Sequence, residues 1–302
     1  MNIKSPLFCH IEAVLTSVVW GTTFVSSKVL ISHGLTPEQI MLLRFILAYI
    51  CIWLISPKRL LAKSWQDELL FVVLGLSGGS LYFLAENSAL KFTQASNVSI
   101  LISVTPLLTA IATSLVYKSE RIGKALVVGA FVALVGIALV VFNGQYVLKL
   151  NPVGDMLTIS ASLMWVVYGL ILKKVQQHNY TSVFVTRKVF FYGILTILPV
   201  FPITGEGIPW TSLCDFTVLA NLCFLGIVAS FLGYLAWNYV VNQLGVVTAT
   251  NYLYLNPLST FITSSIVLQE RITLISLVGS LMILSGVYLS QKKTNIFGNK
   301  FV

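Results

Sequence analysis

Ten times the chain returns to an apolar run about as long as a bilayer is thick. An α-helix needs about 20 residues to cross the hydrocarbon core. By that ruler the spans lie near 11–31, 38–55, 69–92, 96–117, 123–142, 154–172, 183–203, 214–240, 247–268 and 272–290. The connections are short and no soluble domain interrupts them. Only 10% of the 302 residues are charged and 57% are hydrophobic, where a globular protein carries about 25% charge. Such a chain lacks the polar surface to coat a soluble globule. The expected fold class is an all-α integral membrane protein with ten transmembrane helices. The first run has no strong basic stretch before it and no clear A-x-A site, so it is expected to stay as a helix rather than leave as a signal.

A net charge of +9 would suit nucleic acid if the bases formed one face with interleaved aromatics. They sit between the apolar runs instead, where they encode topology. With the N-terminus inside, the inner segments hold Lys4, Lys58, Arg59, Lys63, Lys118, Arg121, Lys124, Lys173, Lys174, Lys292, Lys293 and Lys300. Only Lys91, Lys149 and Arg271 fall outside. Both termini are expected to be cytoplasmic, and short loops without soluble domains point to a bacterial inner membrane. Cys9, Cys51, Cys214 and Cys223 lack C-x-x-C spacing and read as small hydrophobes; no metal or cofactor is expected.

The chain repeats itself. Glu120-Arg121, Gly129 and Gly136 recur 150 residues later as Glu270-Arg271, Gly279 and Gly286. Upstream the offset is 151, pairing Ala85-x-Asn87 with Ala236-x-Asn238 and Pro106-Leu107 with Pro257-Leu258. Trp20 in the first span has a counterpart in Trp165 of the sixth. Two units follow, 1–145 and 146–291, with a basic tail at 292–302. Five spans per unit is an odd number, so the second unit enters from the opposite side. Inverted repeats of this kind are common in secondary transporters, whose sites lie near the midplane between the halves.

The motifs "VVWGTTFVSSK", Arg44, "ENSALKFTQASN", "TPLLTAIATSLVYKSER" and "GDMLTISASLMWVVYGLILKK" are similar to those of the EamA-type drug/metabolite transporter superfamily. So is the later stretch "LGYLAWNYVVNQLGVVTATNYLYLNPLSTFITSSIVLQER". The resemblance covers nearly the whole chain. It implies a ten-helix inverted-repeat carrier that moves amino acids or other small metabolites outward. Glu86 is not part of that motif, and its role is argued from the residues alone.

Pro106 and Pro257 fall near the middle of the fourth and ninth spans, where proline removes a donor and interrupts the helix. Matched interruptions are the best sequence pointer to a transport site. Around them stand Trp20, Thr22 and Thr23 in span one, Glu86 and Asn87 in span three, and Trp165 and Tyr168 in span six. Tyr234, Trp237 and Asn238 come from span eight, and Thr250, Asn251, Tyr252, Tyr254 and Asn256 from span nine. At i, i+4 spacing Tyr252 and Asn256 share a face, as do Tyr234 and Asn238. Spans five and ten are almost without polar side chains and are expected to form outer walls toward lipid or toward a second copy of the chain. The expected ligand is a modest amphipathic solute, held by rings and amides.

An ionised carboxylate in hydrocarbon costs kilocalories, so Glu86 demands a reason. Counting about six residues, or roughly 9 Å, from the outer end puts Glu86 and Arg44 at similar depth, with Lys28 as a further candidate cation. Glu86 is expected to face the cavity, where it binds a cationic group or exchanges a proton; the alternative is a static Glu86–Arg44 pair locking two helices. Broad drug efflux and nucleotide-sugar exchange are the rival cargoes. The rival of another class is an intramembrane serine hydrolase using Ser77 of Gly75-x-Ser77-x-Gly79. His10, His33 and His178 lie at span ends or in loops, far from the middle of the third span, where a base for Ser77 would have to stand. Close helix packing is the favoured reading of that G-x-x-x-G.

Overall fold

The computed structural model describes residues 6–57, 61–117, 123–142, 151–205, 207, 210–268 and 274–291. Among these residues all regular structure is helical. The helices are α1 (Pro6–Ser32), α2 (Pro37–Ile55), α3 (Trp65–Gly75), α4 (Leu81–Phe92), α5 (Ala95–Ile102), α6 (Thr105–Val116) and α7 (Lys124–Phe142). After them come α8 (Pro152–Gln176), α9 (Ser182–Ile197), α10 (Val200–Thr204), α11 (Phe216–Cys223), α12 (Gly233–Leu244), α13 (Val246–Thr250), α14 (Asn256–Leu268) and α15 (Leu274–Gln291). Seven helical runs are long and apolar enough to cross a membrane, and Lys124–Leu139 and Leu281–Ser290 are shorter apolar helices. The motif residues Glu120-Arg121 and Glu270-Arg271 and the basic tail 292–302 lie outside the described residues.

Where helices begin, side chains meet the unpaired N–H groups of the first turn. Ser64 Oγ accepts from Asp67 N at 3.1 Å, and Asn151 Oδ1 from Val153 N and Gly154 N at 3.2 Å each. Asp215 Oδ1 accepts from Val218 N and Thr217 N, which holds that exposed carboxyl below its usual range. Gly245 ends α12 at φ +82, a conformation that favours glycine.

Two breaks interrupt the longest runs. A π-helical turn at Leu76–Ser80 joins α3 to α4, with Gly79 at φ −128, ψ −105. A second π stretch, Phe224–Leu232, joins α11 to α12. The two prolines mark further breaks, though neither sits inside a helix. Pro106 stands at the first turn of α6, after a turn at Ser103–Val104, and Pro257 follows Asn256 at the start of α14, after a 3-10 stretch at Asn251–Leu255. Proline suits that place because its missing N–H has no helical partner there anyway.

α7 and α15 pack against each other backbone to backbone. A Cβ on Gly129 would lie 2.6 Å from Gly286 O, and one on Gly136 2.6 Å from Gly279 O. Both helices turn apolar side chains such as Phe131, Leu281 and Leu284 outward. Gly75 has the same use: a Cβ there would meet Tyr192 at 2.3 Å. The G-x-x-x-G is therefore a close approach of α3 to α9.

Candidate functional site

One cavity lies where α1, α2, α4, α5, α6, α8, α12 and α14 converge. Trp20, Thr23, Phe24, Arg44, Tyr82, Phe83, Glu86, Ile102, Thr105, Trp165, Tyr234, Leu253 and Asn256 line it. Its volume is about 30 Å³, where a single water needs about 10–15 Å³ on the same measure, so it has room for a few waters. Loading anything as large as an amino acid therefore requires the walls to move.

The rings form a continuous cage. Trp20 meets Trp165 edge-on at 5.2 Å, Tyr234 at 5.7 Å and Trp237 at 4.9 Å, and Tyr82 lies 5.1 Å from Trp165. Into it project charged groups that are almost wholly enclosed, Arg44 at 1% exposure and Glu86 at 2%. Arg44 Nε donates to Ser230 Oγ at 2.9 Å, and its guanidinium lies over the Phe83 ring, 4.1 Å from the centroid. Its Nη1 has no hydrogen-bond partner; nor has Glu86 Oε1 or Asn256 Oδ1. The Tyr82 hydroxyl is the hydrogen-bond partner of the Glu86 carboxyl, and among the described residues Arg44 and Glu86 form no contact ion pair. Buried groups of this kind normally find partners.

Of the residues expected from sequence, the structure brings Trp20, Thr23, Arg44, Glu86, Trp165, Tyr234 and Asn256 to the cavity. Tyr168, Asn238, Trp237, Tyr252 and Asn87 stand outside its wall. The Tyr168 hydroxyl donates to Asn238 Oδ1 at 2.6 Å, and Asn238 Nδ2 donates to Thr186 Oγ1 at 2.8 Å. Trp237 packs behind Trp20, and Asn87 is fully buried with neither end of its amide bonded. Tyr252 is displaced by helix geometry. The 3-10 stretch has three residues per turn, so Leu253 and Asn256 share the cavity face, while Tyr252 points to His10, with its hydroxyl 2.5 Å from Nδ1.

Lys28 is corrected too: its ammonium donates to Leu90 O, and to Thr93 O at 3.1 Å, closing the C-terminal end of α4. Sequence reasoning missed Tyr82, Phe83, Phe24, Ile102, Thr105 and Leu253. Tyr82 and Phe83 were within its reach, being four and three residues before Glu86 and so on its face. Ser77 donates to Val73 O at 2.6 Å, one turn back in its own helix. His10, His33 and His178 make their contacts with Tyr252, Val29 O and Asp67.

A second polar cluster lies at the end of the bundle that holds residues 61–64 and the 177–181 connection. Asp67 accepts from Tyr180 at 2.7 Å and meets His178 at 2.6 Å, while Lys63 N donates to Tyr180 at 2.7 Å. Burial, with Asp67 taking the hydroxyl proton as a hydrogen bond, pushes Tyr180 up to about 12. Beside it Glu68 pairs with Lys188, 1% exposed, and accepts from Tyr192.

Residues 7–142 and 152–291 each match the EamA-like transporter family. An uncharacterized transporter of Archaeoglobus fulgidus is 29% identical over 97% of this chain and 99% of its own length. A probable amino-acid metabolite efflux pump of Salmonella typhimurium is 28% identical over 95% and 94%. A probable terminal-alkyne amino-acid exporter of Streptantibioticus cattleyicolor is 24% identical over 93% and 92%. A crystal structure at 17% identity superposes with a TM-score of 0.73, covering 95% of this chain and 97% of that one, a likeness of fold.

Proposed function

Because the chain belongs to the EamA-like transporter family, we propose that it is a secondary carrier, not an enzyme, that exports a small zwitterion by alternating access. The cargo is an amino acid or a close relative. The observation that carries this reading is the trio of enclosed, unpartnered polar atoms at one cavity: Arg44 Nη1, Glu86 Oε1 and Asn256 Oδ1. A guanidinium binds a carboxylate through paired N–H groups. A carboxylate and an amide oxygen accept from an ammonium, and rings of Trp and Tyr cover an apolar side chain. Relatives named for amino-acid efflux and export point the same way.

The carrier reading includes ten spans in two inverted repeats, with both termini cytoplasmic in a bacterial inner membrane. The packing of α7 on α15 supports the repeat. Gly129 and Gly279 are repeat equivalents, as are Gly136 and Gly286, and the observed contacts cross over, 129 to 286 and 136 to 279. Reciprocal contacts of that sort are the signature of a two-fold relation. Glu86 is also the candidate proton site: it takes a proton in one half of the cycle and gives it up in the other.

Purified protein in liposomes, loaded with single unlabelled amino acids and offered the labelled one, tests the reading by counterflow. At least one neutral amino acid is expected to exchange. Glu86→Gln is expected to reduce exchange by tenfold or more and to abolish the response to a pH gradient. Exchange of bulky drugs or of nucleotide sugars alone would contradict the zwitterion reading and favour the broader efflux alternative.

A further inference from the structure

The two π breaks are not independent features. The repeat offset of 151 carries Leu76–Ser80 onto 227–231, inside Phe224–Leu232, and carries Gly78 onto Ala229. A π turn widens the backbone ladder and leaves carbonyls without their usual i+4 donors. In both breaks a side chain meets the carbonyl at the matched position. The Tyr234 hydroxyl donates to Gly78 O at 2.5 Å, and Trp20 Nε1 donates to Ala229 O at 2.9 Å. Each brace crosses between the halves: Tyr234 of the second holds the first, and Trp20 of the first holds the second. Both donors line the cavity and their rings lie 5.7 Å apart. Anything that enters the cavity therefore presses on both.

We propose that Trp20 and Tyr234 are positioning residues that hold the two π breaks, and that which brace is released determines the face to which the cavity opens. The inference rests on the alternating-access reading. A solute wedged among the rings displaces Tyr234 or Trp20 from its carbonyl, and the freed break lets α4 or α12 tilt away from the cavity. The opposite break stays braced. Cargo and gate are thereby linked through one pair of aromatic donors, with no further conformational element.

Substitutions that remove the donor and keep a ring test it, Tyr234→Phe and Trp20→Phe. Thr105→Cys, which lines the cavity, serves as reporter in a chain whose four native cysteines are replaced. A membrane-impermeant maleimide labels it from the outside in intact cells and from the inside in inverted vesicles. The inside-to-outside labelling ratio is expected to move at least threefold from wild type in each variant, and in opposite directions. A common direction, or two unchanged ratios in folded protein, overturns the brace. If Trp20→Phe does not fold, amide exchange of Tyr234→Phe decides: faster exchange at 76–81 with 224–232 unchanged supports the brace, and uniform or unaltered exchange overturns it. A reporter that reaches only one face in wild type and in both variants contradicts the carrier reading itself.

Discussion

At the scale of single residues, the telling fact is that Glu86 and Arg44 share a cavity without gripping each other. A static pair would satisfy both charges and leave nothing for a solute. Arg44 lines the cavity and is held instead by Ser230 and by the face of Phe83, with Nη1 of the fork left without a hydrogen-bond partner. Lysine keeps the charge but loses the planar fork and the stacking. Arg44→Lys is therefore expected to fold normally and to lower exchange about tenfold, roughly 1.4 kcal/mol; equal exchange in the two proteins would remove Arg44 from the site. Glu86 was legible because a carboxylate in an apolar run has to be explained, and Arg44 because depth could be counted from a span end. Tyr252 misled, since the i, i+4 rule assumes 3.6 residues per turn and the backbone at Asn251–Leu255 winds more tightly.

At the scale of elements, glycines set how closely helices approach. Gly286 offers no room for a methyl group: its Cβ would lie 2.5 Å from Ala133 N and 2.6 Å from Gly129 O. Overpacking of this kind costs about 1–3 kcal/mol, so Gly286→Ala is expected to lower the thermal midpoint in detergent, which circular dichroism would record. An unchanged midpoint would mean that α7 and α15 are free to separate. At the start of α3, Ser64→Ala removes the acceptor for Asp67 N and is expected to cost about 1 kcal/mol, read by the same melt. The long runs and the proline breaks were legible from length, hydropathy and spacing. The π turns were not, because one extra residue in a helical ladder changes no composition; Gly78-Gly79 is their single trace in the first half, and the second half has none.

At the scale of the whole molecule, the cavity is small, and one end of the bundle is tied by charge. Lys188 lies at 1% exposure among rings and depends on Glu68 for its counter-charge. Removing one member of a buried pair strands the other. Glu68→Gln is expected to destabilise the protein by roughly 3 kcal/mol and to raise cavity labelling from that end; a melt and a labelling rate like those of wild type would exclude a closing role for the cluster. This tie links α3 in the first half to α9 in the second through residues 120 apart in sequence; the G-x-x-x-G pointed to close packing there, but nothing in the sequence pointed to the charge pair.

The central claim is that a zwitterion is held by charge at both ends, Arg44 to its carboxylate and Glu86 to its ammonium. The most direct test is competition in proteoliposome counterflow, using the amino acid that exchanges fastest and two of its derivatives, the N-acetyl form and the methyl ester. Both derivatives are expected to compete at least tenfold more weakly than the parent, with the N-acetyl penalty lost in Glu86→Gln and the ester penalty lost in Arg44→Gln, which removes the cation. Derivatives that compete as well as the parent would contradict recognition by charge and would leave the aromatic cage alone to select the cargo.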